Sequence, residues 1–389
     1  MTIAAEPSHA RLTSVDTMRG IVMVLMALDH VRDFFGVPGI SPTNLAAASP
    51  GLFLTRWITN FCAPTFFLLM GTGAYLALRK LGTHQLCRYL LTRGLWLVFL
   101  ELVVMRFILQ FNLNYQTTGI TVLWALGISM MVLAGLVRLP IGLIGAFGLI
   151  LIAGHNAFDS IRSSNPLWSI LHSPNVIFDR GGHTVLLAYP LIPWIGVTAV
   201  GFWMGQIYDW ASVKRRKWLV AAGLLAIVVF AVLRSINVYG DPIPRIAFDS
   251  TLMTSLSFLN ASKYPPSLQF LLMTLGPVLL LLAAIDKKTP AMLRPARVFG
   301  QVPLMYYVIH FLLIHAAAVA LSLVWNGSAH WLFESPTLDL YPFTPPPKWG
   351  LSLPGVYLVW AGVVMAMYPL CRWYATYRKS NPSLWTSYF

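Results

Sequence analysis

At 389 residues, with 57% hydrophobic and only 10% charged side chains and a mean hydropathy of +0.68, the chain holds more apolar surface than a soluble domain of its size could bury. This excludes a soluble enzyme and leaves a polytopic membrane protein. The net charge of +14 comes without interleaved basic and aromatic residues of the groove-forming kind, so membrane orientation and lipid headgroups account for it and a nucleic-acid partner is excluded.

The opening MTIAAEPSHA lacks the basic n-region and cleavage pattern of a signal peptide, so the first helix is expected to remain as an anchor. Apolar stretches of spanning length follow at about 12–35, 52–78, 89–110, 120–138, 140–155, 184–208, 218–236, 265–285, 300–324 and 353–374. They predict an all-α polytopic membrane helix bundle of about ten transmembrane helices. A short tail at 1–10 precedes a single membrane domain at 11–378, and a second tail occupies 379–389. An even number of spans puts both termini on one side. With that side cytoplasmic, Arg11, Arg19, Arg79, Lys80, Arg88, Arg93, Arg138, the KRRK run at 214–217, Lys287, Lys288, Arg294, Arg297, Arg372, Arg378 and Lys379 fall inside or at inner ends, as the positive-inside rule requires. The bacterial inner (plasma) membrane is the expected location. Within the spans, Pro190, Pro193 and Pro277 are expected to kink helices, and Gly71 and Gly73 to permit close helix contact. Cys62, Cys87 and Cys371 have no CxxC spacing and read as packing residues.

The first span is unusual. SVDTMRGIVMVLMALDHVRDFF carries Asp16, Arg19, Asp29, His30, Arg32 and Asp33, although one charge at a helix centre costs roughly 2.5–3.5 kcal/mol. Such groups are kept where they face partners, water or a ligand. Arg19 and His30 are eleven positions apart, about three turns and ~16 Å, and so share nearly one face. Each end also has carboxylates within reach, Asp16 beside Arg19 and Asp29 and Asp33 beside His30. The bland alternative is a solvated helix end and a cytoplasmic anchor, Arg19 paired to Asp16.

Later spans add candidates. Arg56 and Asn60 at the start of the second span, with Lys263 and Tyr264 from an outer loop, are expected to complete a vestibule beside His30. The third span carries Arg93, Glu101 and Arg106, with Gln110 and Asn114 continuing the Arg106 face at i+4 steps. Glu101 near mid-membrane is expected to pair with Arg106, with Arg93 or with a basic residue of another span, structurally or catalytically. In the ninth span Tyr306 and His310 lie one turn apart, with His315 beyond, as the rival site to His30.

The segments SVDTMRG, MALDHVRDFF, FCAPTFFLLMGTGAY, YPLIPWIGV, FLNASKYPPSLQFLLMTLGP and VPLMYYVIHFLLIH resemble the bacterial DUF1624 group, which is similar to the heparan-alpha-glucosaminide N-acetyltransferase catalytic domain. A more distant resemblance is to acyltransferase-3 type membrane acyltransferases, whose first helix carries a basic residue, ten intervening residues and a His. Arg19 and His30 fit that spacing. The resemblance implies transfer of an acyl group from cytoplasmic acetyl-CoA to an amine or hydroxyl of a sugar or glycan at the outer face. In the heparan enzyme the histidine regarded as catalytic lies in the outer loop after the corresponding span. Here Gly36 to Gly51 contains no His, so His30 is nominated on local chemistry and spacing.

For acyl transfer a neutral imidazole near pH 7 suits the general base, and His30 takes that role, with Asp29 or Asp33 orienting its ring. An acetyl-His intermediate is the variant. Arg19, Asp16 and Arg93 are assigned to the CoA end, where guanidinium groups suit phosphate. No metal is expected, because the histidines are scattered and no acid and His set has ligand spacing. The bilayer, acyl-CoA and a glycan are the expected partners, and homo-oligomerisation stays open. A proton-coupled small-molecule transporter is the alternative, since buried Asp, Glu and His can relay protons; the lack of an inverted repeat counts against it.

Overall fold

A computed structural model describes residues 9–336 and 342–381; most of the two expected tails lies outside the described residues. The α-helices, in chain order, are α1 (His9–Phe35), α2 (Pro50–Thr59), α3 (Cys62–Phe99), α4 (Arg106–Gln110), α5 (Val122–Leu136), α6 (Ile141–Gly154), α7 (Pro166–Leu171), α8 (Leu191–Met204), α9 (Ser212–Ile236), α10 (Thr251–Leu259), α11 (Leu268–Ile285), α12 (Arg294–Gln301), α13 (Pro303–Asn326) and α14 (Leu353–Ser380). Helix covers most of each of the ten apolar stretches, but among the described residues six helical segments are both long and apolar enough to cross a bilayer: Ile141–Phe158, Leu191–Asp209, Ser212–Ile236, Leu268–Ile285, Pro303–Asn326 and Leu353–Ser380. The other stretches depart from plain apolar spans for local reasons. The first is laden with charge, the second breaks at Asn60 between α2 and α3, and α5 has 15 residues. The third passes from α3 through a π-helical turn at Leu100–Met105 into α4, which stops at Phe111 in the left-handed region (φ 45°).

The all-α expectation needs one correction. A small three-stranded sheet is present, with β1 (Thr117–Ile120), β2 (Asn175–Arg180) and β3 (His183–Leu187) in the order β1-β3-β2. β1 runs parallel to β3 from Thr117 opposite Thr184 to Ile120 opposite Leu187, and β2 runs antiparallel to β3. The start of the stretch at 184–208 is therefore strand. α8 begins only at Leu191, with Pro190 as its N-cap and Pro193 in its first turn. Proline lacks an N–H and holds a helical φ, so both residues start this helix instead of kinking it. Pro277 does lie inside α11.

α1 is the central element. Val22, Ala27 and Val31 are fully buried, and Phe34 and Phe35 nearly so, in contact with neighbouring helices on several sides. Its approach to α12 is very close, since a Cβ on Gly20 would overlap the Ala296 carbonyl and one on Gly300 the Asp16 carbonyl. α3 and α8 meet in the same way, with Gly71 against Thr198 and Gly201 against Leu68, while Gly73 has open space around it and faces a cavity. Leu224, Leu225, Val228 and Val232 on α9, and Leu358 and Met365 on α14, are exposed. Bands of exposed aliphatics on apolar helices of this length are lipid-facing surface, and the chain is an integral membrane protein.

Candidate active site

His30 and Arg19 open into two different cavities. The first, about 370 Å³, is lined by His30, Asp29, Arg32, Asp33, Arg56, Thr59, Lys263 and Tyr264, closed on its apolar side by Phe66, Val122, Tyr307 and Phe311 among others. The second, about 630 Å³, is lined by Arg19, Arg93, Arg378, Tyr89 and Gln301 and by a long apolar wall that includes Met23, Leu69, Met70, Leu97 and Leu126. Phe66, Val122 and Tyr307 belong to both linings. The two cavities thus meet at one shared wall between the ends of α1. A third hollow, about 580 Å³, adjoins the His30 cavity through Arg32, Asp33, Phe34 and Pro342.

The ring of His30 stacks on Phe311, with centroids 4.0 Å apart, and its Nδ1 lies 2.7 Å from Nε2 of His310. The Nδ1 of His310 is 2.9 Å from the Tyr306 carbonyl. A carbonyl only accepts, so His310 carries its proton on Nδ1 and its Nε2 accepts from His30 Nδ1–H. This assignment leaves Nε2 of His30 unprotonated in the neutral ring, on a residue that lines the cavity.

The expected carboxylate support of His30 is replaced. Asp29 pairs with Arg32 at 2.7 Å and with Arg56, and its Oδ1 accepts from Thr59 Oγ1 at 2.9 Å. Asp33 pairs with the same Arg32 at 2.8 Å. Asp29 diverges from His30 because adjacent helical side chains do not face each other, both acids are engaged by guanidinium groups, and the ring turns instead toward α13. His310, expected as a rival centre, is the partner of His30.

The vestibule residues divide. Arg56, Lys263 and Tyr264 line the cavity, whereas Asn60 is buried at the α2–α3 break, its Oδ1 without a hydrogen-bond partner, and does not line it. Lys263 sits over the Tyr264 ring at 5.3 Å. Burial opposes ionisation of the Tyr264 phenol, but Lys263 and Arg56 outweigh it, and its pKa is lowered from the ordinary tyrosine value. At the other end Arg19 donates to Asp16 at 3.1 Å and to the Gly300 carbonyl at 3.2 Å, and Arg93 lies over Tyr89 at 5.3 Å.

The expected Glu101 ion pair does not form. Its carboxylate accepts from Thr121 N and Oγ1 at 2.7 and 2.5 Å and from Leu123 N at 3.2 Å, capping α5 from another element. Arg106 instead holds the turn after α4 through Asn112, Asn114 and Ser335. His315 braces the Ile108 and Leu332 carbonyls at 2.6 and 3.1 Å. Sequence reasoning missed Thr59, Phe66, Val122, Tyr307 and Phe311, ordinary residues whose role comes only from position. It also missed that His155, Asp159 and His172 come together elsewhere.

The family model described as heparan-alpha-glucosaminide N-acetyltransferase, catalytic, matches residues 11–240, more than half of the chain, and these include nearly all of α1, with Arg19 and His30, and also Arg56 and Arg93. The chain belongs to the heparan-alpha-glucosaminide N-acetyltransferase catalytic family. That membership makes it a membrane acetyltransferase by family, in agreement with its apolar helices. His310, Lys263 and Arg378 lie beyond the matched residues. No curated protein matches the chain.

Proposed function

We propose that the protein transfers an acetyl group from acetyl-CoA, bound in the Arg19 cavity from the cytoplasm, to an amine or hydroxyl of a sugar or glycan in the His30 cavity at the outer face of a bacterial plasma membrane. The observation that carries this reading is the pair of cavities sharing Phe66, Val122 and Tyr307, with cations at one end and an unprotonated imidazole nitrogen at the other. Arg19, Arg93 and Arg378 suit the CoA phosphates, and the apolar wall suits the pantetheine arm. The ~16 Å rise from Arg19 to His30 is a distance that an extended arm of this kind can cover.

In the reaction the acceptor nitrogen or oxygen attacks the thioester carbonyl while His30 Nε2 takes its proton. The tetrahedral intermediate collapses by breaking the C–S bond, and the proton on His30 passes to the departing thiolate, giving the acetylated acceptor and free CoA. His310 holds the His30 proton on Nδ1, which keeps Nε2 as the basic atom, and shares the charge of the imidazolium. Asp29, tied to Arg32, Arg56 and Thr59, fixes the floor of the acceptor cavity. The preponderance of basic residues at the Arg19 end of the chain's helices supports cytoplasmic termini.

The test uses purified full chain in lipid nanodiscs with [14C]acetyl-CoA and a panel of amino sugars and glycans. Label transfer is expected with at least one acceptor and is expected to fall by about two to four orders of magnitude in His30→Ala. Transfer that survives this substitution unchanged would remove His30 from the chemistry.

A further inference from the structure

A separate cluster lies where α6 unwinds. His155 begins a turn of 3-10 helix, His155–Phe158, Asp159 follows it directly, and His172 stands just after α7. His155 and His172 are 2% and 1% exposed. One ligand atom from each of the three residues lies within 4.8 Å of the others. Asp159 Oδ1 is 3.5 Å from His172 Nε2, near the ~3.3 Å separating two ligand atoms on a tetrahedral ion with bonds of about 2.0–2.1 Å.

The polar accounting is incomplete without a further group. Neither ring nitrogen of His155 makes a hydrogen bond of full geometry; the Pro266 carbonyl engages one of them, which leaves the other without a partner in a deeply buried imidazole. The carboxylate is oriented by a neighbouring side chain. Asn156 Nδ2 donates to Asp159 Oδ2 at 2.8 Å, which leaves Oδ1 directed at the cluster, and Trp168 stacks on the His172 ring at 5.0 Å. His172 Nε2 contacts the His155 carbonyl at 2.8 Å. Ligation would exchange that hydrogen bond for a metal bond, moving the ring proton to Nδ1, whose neighbour is Ser173 Oγ at 3.5 Å.

We propose that His155, Asp159 and His172 form a site for a divalent transition metal, zinc by its ligand set of two imidazoles and one carboxylate, with water completing the tetrahedron. The ion would pin the α6–α7 connection where Asn156 Oδ1 accepts from Leu268 N at 2.8 Å, beside the segment that carries Lys263 and Tyr264. The site takes no part in acyl transfer, and its test is independent of that reaction.

Full chain in detergent is stripped with EDTA, dialysed, incubated with zinc chloride, gel-filtered, and measured for bound zinc and for melting midpoint. About one zinc per chain is expected, with a rise of several degrees in the wild-type midpoint. Both should be lost in Asp159→Asn and His172→Ala and kept in the control His330→Ala, which alters an exposed histidine. Cobalt(II) soaked into wild type should give the visible absorption of a tetrahedral site, a readout that needs no variant to fold. No zinc uptake and no cobalt bands in wild type, or zinc retained undiminished in Asp159→Asn and His172→Ala, would overturn the site.

Discussion

At the residue scale the chemistry turns on which atom of His30 is basic. Because the Tyr306 carbonyl fixes the His310 proton on Nδ1, the chain of hydrogen bonds has a direction, and it ends at His30 Nε2. His310→Ala should therefore lower kcat more than it raises KM, and His310→Gln, whose amide oxygen can still accept from His30 Nδ1–H, should recover part of the loss. Equal kcat in wild type and His310→Ala would show that the imidazole pair has no part in catalysis. Tyr264 offers a pH test. Its lowered pKa means that it ionises below the usual tyrosine range, so an ultraviolet alkaline titration should contain an early phenolate component that disappears in Tyr264→Phe. The motif spacing made His30 and Arg19 legible, since both sit on one helix. His310 could not be assigned from spacing, because 280 residues separate it from His30 and only the packing of α13 on α1 joins them.

At the element scale two devices hold the site. Glu101 caps α5 from the π-helical turn and thereby holds Val122 at the wall between the cavities. Glu101→Ala would leave the Thr121 and Leu123 amides unsatisfied, a cost of about 1–3 kcal/mol, read as a lower melting midpoint together with reduced transfer. The second device is the α1–α12 crossing. Gly300→Val should be severely destabilising, because the new side chain would meet the Asp16 backbone with no room to relax; near-normal stability would contradict the close approach. The helical elements were largely readable from apolar runs of spanning length. The sheet was not, since a short apolar run such as 184–187 fits a strand and a buried helix equally well. The partners of Glu101 were missed for a related reason: a capping interaction with backbone amides leaves no mark in side-chain spacing.

At the scale of the whole molecule, the charged first span is explained by its surroundings. α1 lies inside the bundle, and Asp16, Arg19, Asp29, His30, Arg32 and Asp33 face one another, neighbouring polar groups or cavities, so the cost of placing them at that depth is offset. The family membership, the lipid-facing aliphatics and the paired cavities then support one account, in which donor and acceptor enter cavities that meet at Phe66, Val122 and Tyr307. The most direct measurement is sided acetyl transfer in proteoliposomes with a single fixed orientation, impermeant acetyl-CoA on the Arg19 side and an impermeant acceptor on the His30 side. The account predicts acetylated acceptor only in this arrangement, and almost none with His30→Ala. Transfer only when both substrates share one compartment, or sided transfer untouched by loss of His30, would contradict it.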